Sequence, residues 1–218
     1  MPVPRRAGTA TSVSPMDLVV IALAFGAIFI VELPDKTFIA TLVLSTRFRP
    51  LFVWLGVGLA FGVQTLIAVA LGKAAGFLPD NLVHGLAMAM FLIGAVLLFR
   101  ESRGADEGEA ETEAEFAEKA AARGEVHGFK VVLTSFLVLF AAEWGDLSQL
   151  LTISLVAKYD DPVSVFLGSW GALLAVSGLA VVVGRVLLSR IKLSTLHLLG
   201  ATVCLVMAAY TGYELIWA

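Results

Sequence analysis

Charge is scarce in this chain. Asp, Glu, Lys and Arg make up 15% of its 218 residues, against roughly 25% in an average soluble protein. Cysteine is scarcer: Cys204 is the single one, which excludes an intramolecular disulfide. No basic stripe interleaves with aromatics, which excludes a nucleic-acid partner. No His-Glu-x-x-His sequence and no evident nucleophile–base pair occur, so a membrane enzyme is a poor reading. Apolar residues fill the space instead. They form 59% of the chain and the mean hydropathy is +0.91, where a soluble domain has about 45–50% apolar residues. An all-α integral membrane protein follows, with the lipid bilayer as its main solvent.

A helix needs about 20 apolar residues to cross a bilayer. Six stretches qualify, at 16–46, 51–72, 82–99, 129–157, 162–184 and 194–217. The first and fourth are too long for a straight span, and each carries charges near its middle, so the sequence predicts tilted or broken helices there. Residues 1–15 are polar. Arg5 and Arg6 before an apolar run resemble a signal peptide, but no clear cleavage site follows, so a tail is predicted. Residues 100–128 are rich in Glu and Ala. They are predicted to form a solvated acidic linker, helical around 109–123.

The chain repeats itself. "VELPDKTFIATLVLS" (31–45) aligns with "AEWGDLSQLLTISLV" (142–156), so Glu32 meets Glu143, Asp35 meets Asp146, Thr37 meets Ser148 and Thr41 meets Thr152. With one residue inserted, Gly56 meets Gly168 and Lys73 meets Arg185. The units are 16–99 and 129–218, three helices each. An odd number of spans turns the second copy over, which predicts two inverted three-helix repeats with a site near the midplane. Basic residues set the orientation. One face carries Arg5, Arg6, Lys73 and Lys158. The other carries Arg47, Arg49, Arg100, Arg103, Lys119, Arg123, Lys130, Arg185, Arg190 and Lys192. Both termini are therefore expected outside the cytoplasm and the acidic linker inside it.

Each motif sets a Glu and an Asp at i and i+3, which on one helix share a face. Thr37 and Ser148 add hydroxyls, and Gln149 adds an amide oxygen. Four carboxylates, two hydroxyls and an amide are hard ligands, suited to Mn²⁺, Ca²⁺ or Mg²⁺. No Cys, Met or His adjoins them, which argues against copper and weakens zinc. Pro34 and Gly145 hold matching positions, where each loosens the helix; Pro34 would free the Ile30 carbonyl as a further ligand. Lys36 follows Glu32 by four residues, the favourable order for an intrahelical pair. It offsets one of the four negative charges. Crowded carboxylates out of water hold protons more tightly than carboxylates in water. Metal and protons then compete for the same oxygens, the physical basis of exchange. A passive divalent-cation channel is the alternative, and a metal-dependent membrane enzyme a more distant one. No resident cofactor is expected. Gln64, Ser169, Trp170 and Ser177 read first as packing groups, and His84 and His197 as interfacial. Gly58 and Gly62 would permit helix pairing, so a monomer or a homodimer is expected.

"ELPDKT" (32–37) and "EWGDLS" (143–148) resemble the doubled Glu-hydrophobic-Gly-Asp-Lys/Arg-Thr/Ser signature of a family of cation/proton antiporters. That family includes the Golgi manganese/calcium transporters of eukaryotes and bacterial manganese exporters. The resemblance implies exchange of Mn²⁺, or next Ca²⁺, for protons, with Glu32, Asp35, Glu143 and Asp146 as cation and proton sites. Two positions depart from it: Pro34 stands for the glycine and Leu147 for the second basic residue. The short start, without a long targeting segment, is expected of a multi-pass protein of a bacterial plasma membrane.

Overall fold

A computed structural model describes residues 16–33, 35–75, 79–122, 124, 126–190 and 193–217. The expectations for residues 1–15, for Pro34 and for Arg123, Glu125 and Lys192 lie outside them, as do those for the Arg185 and Arg190 side chains. Nine helices and no strand occur among the described residues: α1 Leu18–Glu32, α2 Lys36–Arg47, α3 Pro50–Ala75, α4 Asp80–Glu101, α5 Ala105–Ala122, α6 Phe129–Ala142, α7 Leu147–Tyr159, α8 Pro162–Arg190 and α9 Leu193–Trp217.

Helices α3, α4, α8 and α9 are each long and apolar enough to cross a membrane. The pairs α1–α2 and α6–α7 reach that length only together, and they bend by 71° and 75°. The described residues thus hold four candidate spans, or six if each bent pair is one. Large apolar side chains left exposed run along these helices, among them Leu59 and Leu66 of α3, Ile93 and Val96 of α4, and Leu205 and Val206 of α9. Such surfaces suit lipid rather than water.

The helices pack by close approach at glycine. A methyl group on Gly56 of α3 would collide with the Val132 carbonyl of α6 and come within 2.9 Å of Ser135 Cβ. One on Gly168 of α8 would lie 2.5 Å from the Ile21 carbonyl of α1 and 2.8 Å from Ala24 Cβ. These glycines are the two that the sequence alignment pairs, and each rests on the broken pair of the other half. Helices α3 and α8 cross antiparallel: Trp54 Nε1 donates to the Leu174 carbonyl at 3.1 Å, while further along Trp170 Nε1 donates to the Gly58 carbonyl at 2.9 Å and lies against Gly62. Gly58 and Gly62 are therefore spent on contacts within the chain, where the sequence left them available for pairing two chains. Helices α4 and α9 are antiparallel too, with Met88 against Gly212, Gly94 against Cys204 and Leu98 against Gly200.

The linker departs from a fully solvated spacer. Helix α5 spans Ala105–Ala122 and lays one edge on α2 and α9. Phe116 and Ala120 are buried on that edge, while Glu111, Glu113, Glu115 and Glu118 face outward.

Candidate cation site

Both acidic motifs fall at helix breaks, and this changes how the carboxylates meet. Glu32 ends α1, and Asp35 is the N-cap of α2, accepting from its own neighbour Lys36 N at 2.7 Å. In the second copy Glu143 is the C-cap of α6. Asp146 is the N-cap of α7: its Oδ1 accepts from Gln149 N at 3.0 Å and its Oδ2 from Ser148 Oγ at 2.7 Å. The i, i+3 spacing therefore does not lie on a continuous helical face. Short polar side chains that satisfy free N–H groups cap helices readily, and here the caps hold two aspartates at the starts of α2 and α7. Partial positive charge at a helix start favours a carboxylate there.

The break in the second copy has identifiable supports. Gly145 takes φ +78°, in the left-handed region that favours glycine. Gln149 Oε1 accepts from Gly145 N at 2.9 Å, so the amide oxygen expected beside the site closes the turn instead. Gln64 of α3, buried, donates from Nε2 to the Phe140 carbonyl at 3.1 Å, taking up an acceptor of the last turn of α6. Sequence reading treated Gln64 as packing; its mid-helix amide beside a predicted break was the available signal. Beside the first break Phe38 packs with Val176 and Ala180 of α8, with Phe29 and Leu33 against them.

The two breaks meet. One oxygen each from Glu32, Asp35, Glu143 and Asp146 can be chosen so that all four lie within 4.8 Å of one another. Ligands on opposite sides of a Ca²⁺ ion stand about 4.6–5.2 Å apart, and closer around smaller cations, so one ion fits between them. Glu32 and Glu143 are 0% and 1% exposed, and none of their four carboxylate oxygens has a hydrogen-bond partner. Thr37, also buried, lies beside both glutamates without hydrogen-bond geometry to either. Thr41 Oγ1 is buried and unpartnered as well. Ser148 is committed to Asp146.

Lys36 is placed differently from the sequence expectation. No ion pair joins it to Glu32 among the described residues; the carboxylates acting on it are Glu143, Asp35, Asp146 and Glu101. The break puts Glu32 and Lys36 on different helices, so their spacing of four does not make an intrahelical pair. At the second motif Leu147 lies against Gly94 of α4.

The chain matches the family described as divalent cation/proton antiporter GDT1, over residues 20–106 and 131–216. It is 33% identical over 175 residues to a GDT1-like protein (sll0615) of Synechocystis, covering 78% of this chain and 84% of that one. It is 30% identical over 214 residues to the chloroplastic protein PAM71 of Arabidopsis thaliana, covering 89% of this chain and 57% of that one. The chain thus spans little more than half the length of this chloroplast relative. A GDT1-like protein (C186.05c) of Schizosaccharomyces pombe is 26% identical, with 85% and 86% of the two chains covered. No solved structure matches. With both halves matched, the chain belongs to the divalent cation/proton antiporter family GDT1, a family of membrane transporters and not of enzymes.

Proposed function

We propose that this protein exchanges a divalent cation, Mn²⁺ first and Ca²⁺ next, for protons, and that it exports the metal from the cytoplasm. One observation carries the reading: four carboxylates converge from two helix breaks, and the two buried glutamates have no other partner. A buried unpaired carboxylate is costly, and a bound cation or proton relieves that cost. Two occupants competing for one set of oxygens give exchange. Glu32, Asp35, Glu143 and Asp146 are the ion ligands in this reading, with Thr37 beside them. Ser148 and Gln149 hold the second break in shape, and Lys36 balances charge.

The proposed architecture is six spans in two inverted repeats, 16–99 and 129–218, joined by the linker 100–128. Its support is the antiparallel crossing of α3 with α8 and of α4 with α9, which are the corresponding second and third spans of the two halves. Equivalent helices running in opposite directions are the mark of an inverted repeat. The basic residues favour a cytoplasmic linker and extracytoplasmic termini, in a bacterial plasma membrane.

The test is transport in proteoliposomes with an internal pH dye and Mn²⁺, Ca²⁺ or Mg²⁺ supplied outside. The wild-type protein is expected to move protons in response to metal, and E32Q and D146N to abolish that response. Metal flux without coupled proton movement would instead mark a channel, and full transport by both variants would remove the site assignment.

A further inference from the structure

Outside the carboxylate cluster, a second pattern repeats. His84 and Glu101 of α4 stand 17 positions apart, and so do His197 and Glu214 of α9. Because α4 and α9 run antiparallel, the partners cross over between helices. His197 Nε2 lies 3.7 Å from Glu101 Oε2. At the other end, the register that sets Met88 against Gly212 and Leu98 against Gly200 puts His84 level with Glu214. Each end of the α4–α9 pair thus carries one histidine and one glutamate, drawn from opposite halves of the chain.

The two ends differ in what surrounds them. At the linker end, the Glu101 side chain is 57% exposed and the His197 side chain 7%. Glu101 interacts electrostatically with Asp35 and Lys36, and Asp35 with His197. Glu101 and His197 therefore stand between the surface and the carboxylate cluster. At the opposite end, the Lys158 side chain is 3% exposed and its Nζ lies 2.9 Å from Glu214 Oε2 and 3.2 Å from Thr211 Oγ1. It also sits 4.0 Å from the Tyr210 ring centroid and 5.5 Å from that of Tyr159. An ammonium held by a carboxylate, a hydroxyl and aromatic faces occupies the place a cation would take there.

We propose that each His–Glu pair is an outer cation station, one per membrane face, and that Lys158 is a tethered cation plugging the Glu214 station. Glu101 with His197 receives or releases the divalent cation on the linker face and hands it to Asp35. Glu214 with His84 does the same on the opposite face once Lys158 withdraws. Lys158 stands near the end of α7, the helix that Asp146 starts, so movement of that broken helix couples the plug to the central site.

This inference rests on the transport reading. The experiment measures the half-saturating Mn²⁺ concentration from each face in reconstituted vesicles of both orientations. With E101Q, half-saturation on the linker face is expected to rise about fivefold, the effect of an exposed charge worth ~1 kcal/mol. The maximal rate and the opposite face stay unchanged. With K158M, which keeps the apolar stem, half-saturation on the opposite face is expected to fall, and the linker face is unaffected. Equal shifts on both faces, a lower maximal rate alone, or no shift in E101Q would overturn the proposal. Where K158M does not fold, E101Q decides, because its side chain is exposed. A wild-type protein that exchanges no metal for protons overturns the transport reading itself, whereas unchanged variants of an active protein overturn only the stations.

Discussion

Glu32 and Glu143 bring four carboxylate oxygens into the interior with no partner. An ordinary buried carboxylate is paired or hydrogen-bonded, and leaving it bare costs several kcal/mol. In the proposed exchange a substrate cation corrects that deficit, so the residues that make the empty site unfavourable would also make it bind. The four acids were legible from the sequence because ionisable groups in an apolar run are rare and functional. Their geometry was not, because a spacing of three suggests a helical face and only coordinates reveal a break. The same break separates Glu32 and Lys36 onto two helices, so the intrahelical pair that the spacing suggests does not form. Gly145 tests the importance of that backbone. Its φ is +78° and its missing Cβ would meet nothing within 4 Å, so a substitution there is opposed by conformation alone. G145A is expected to lower stability by about 1–2 kcal/mol and to slow transport. G145N, which tolerates left-handed backbone better, is expected to lose less. Thermal unfolding in detergent together with vesicle transport measures both; equal behaviour of the two variants would mean that the positive φ is not what matters.

At the scale of elements, two long spans with central charges were enough to predict breaks, since a straight helix of that length overshoots the bilayer. The exchange of partners between halves was not legible. Which helix a glycine touches is a long-range property, and Gly56 and Gly168 look alike in sequence whether they pack within their own repeat or across. Phe116 was equally hidden: one aromatic in an acidic run reads as solvated until α5 is seen lying on α2 and α9. The glycine contacts predict paired behaviour. G56A and G168A each force a methyl group into a neighbouring backbone, and each is expected to destabilise by about 1–3 kcal/mol, the range for overpacking. G85A is the control: its Cβ meets nothing within 4 Å in the second turn of α4, so helix propensity makes it neutral or slightly stabilising. Melting temperatures of the three purified proteins decide, and a tolerated G56A beside a damaging G168A would contradict equivalent roles for the two interfaces.

For the whole molecule, the asymmetry between the halves has a measurable consequence. Four carboxylates and Lys36 carry a net charge of −3 when ionised, and a divalent cation leaves −1, because Leu147 supplies no second base. In the proposed exchange metal binding displaces whatever protons the empty site holds, so acid on the loading face is expected to weaken apparent metal affinity. Linkage fixes the size: half-saturation rises about tenfold per pH unit for each proton displaced. The slope of log half-saturation against pH therefore counts protons without assuming a stoichiometry. Removing Lys36 sharpens the count. In K36M the empty site carries one more negative charge, and low dielectric disfavours that charge strongly. A proton takes the place of the ammonium, and the entering metal must displace it as well. The pH slope of K36M is expected to exceed that of the wild type by up to one proton, with weaker metal binding in acid and recovery in alkali. Transport titrations of both proteins at several pH values on the loading face measure the difference. Parallel slopes would show that Lys36 does not balance the exchanged charge, and that the single base in the first motif serves packing or access instead.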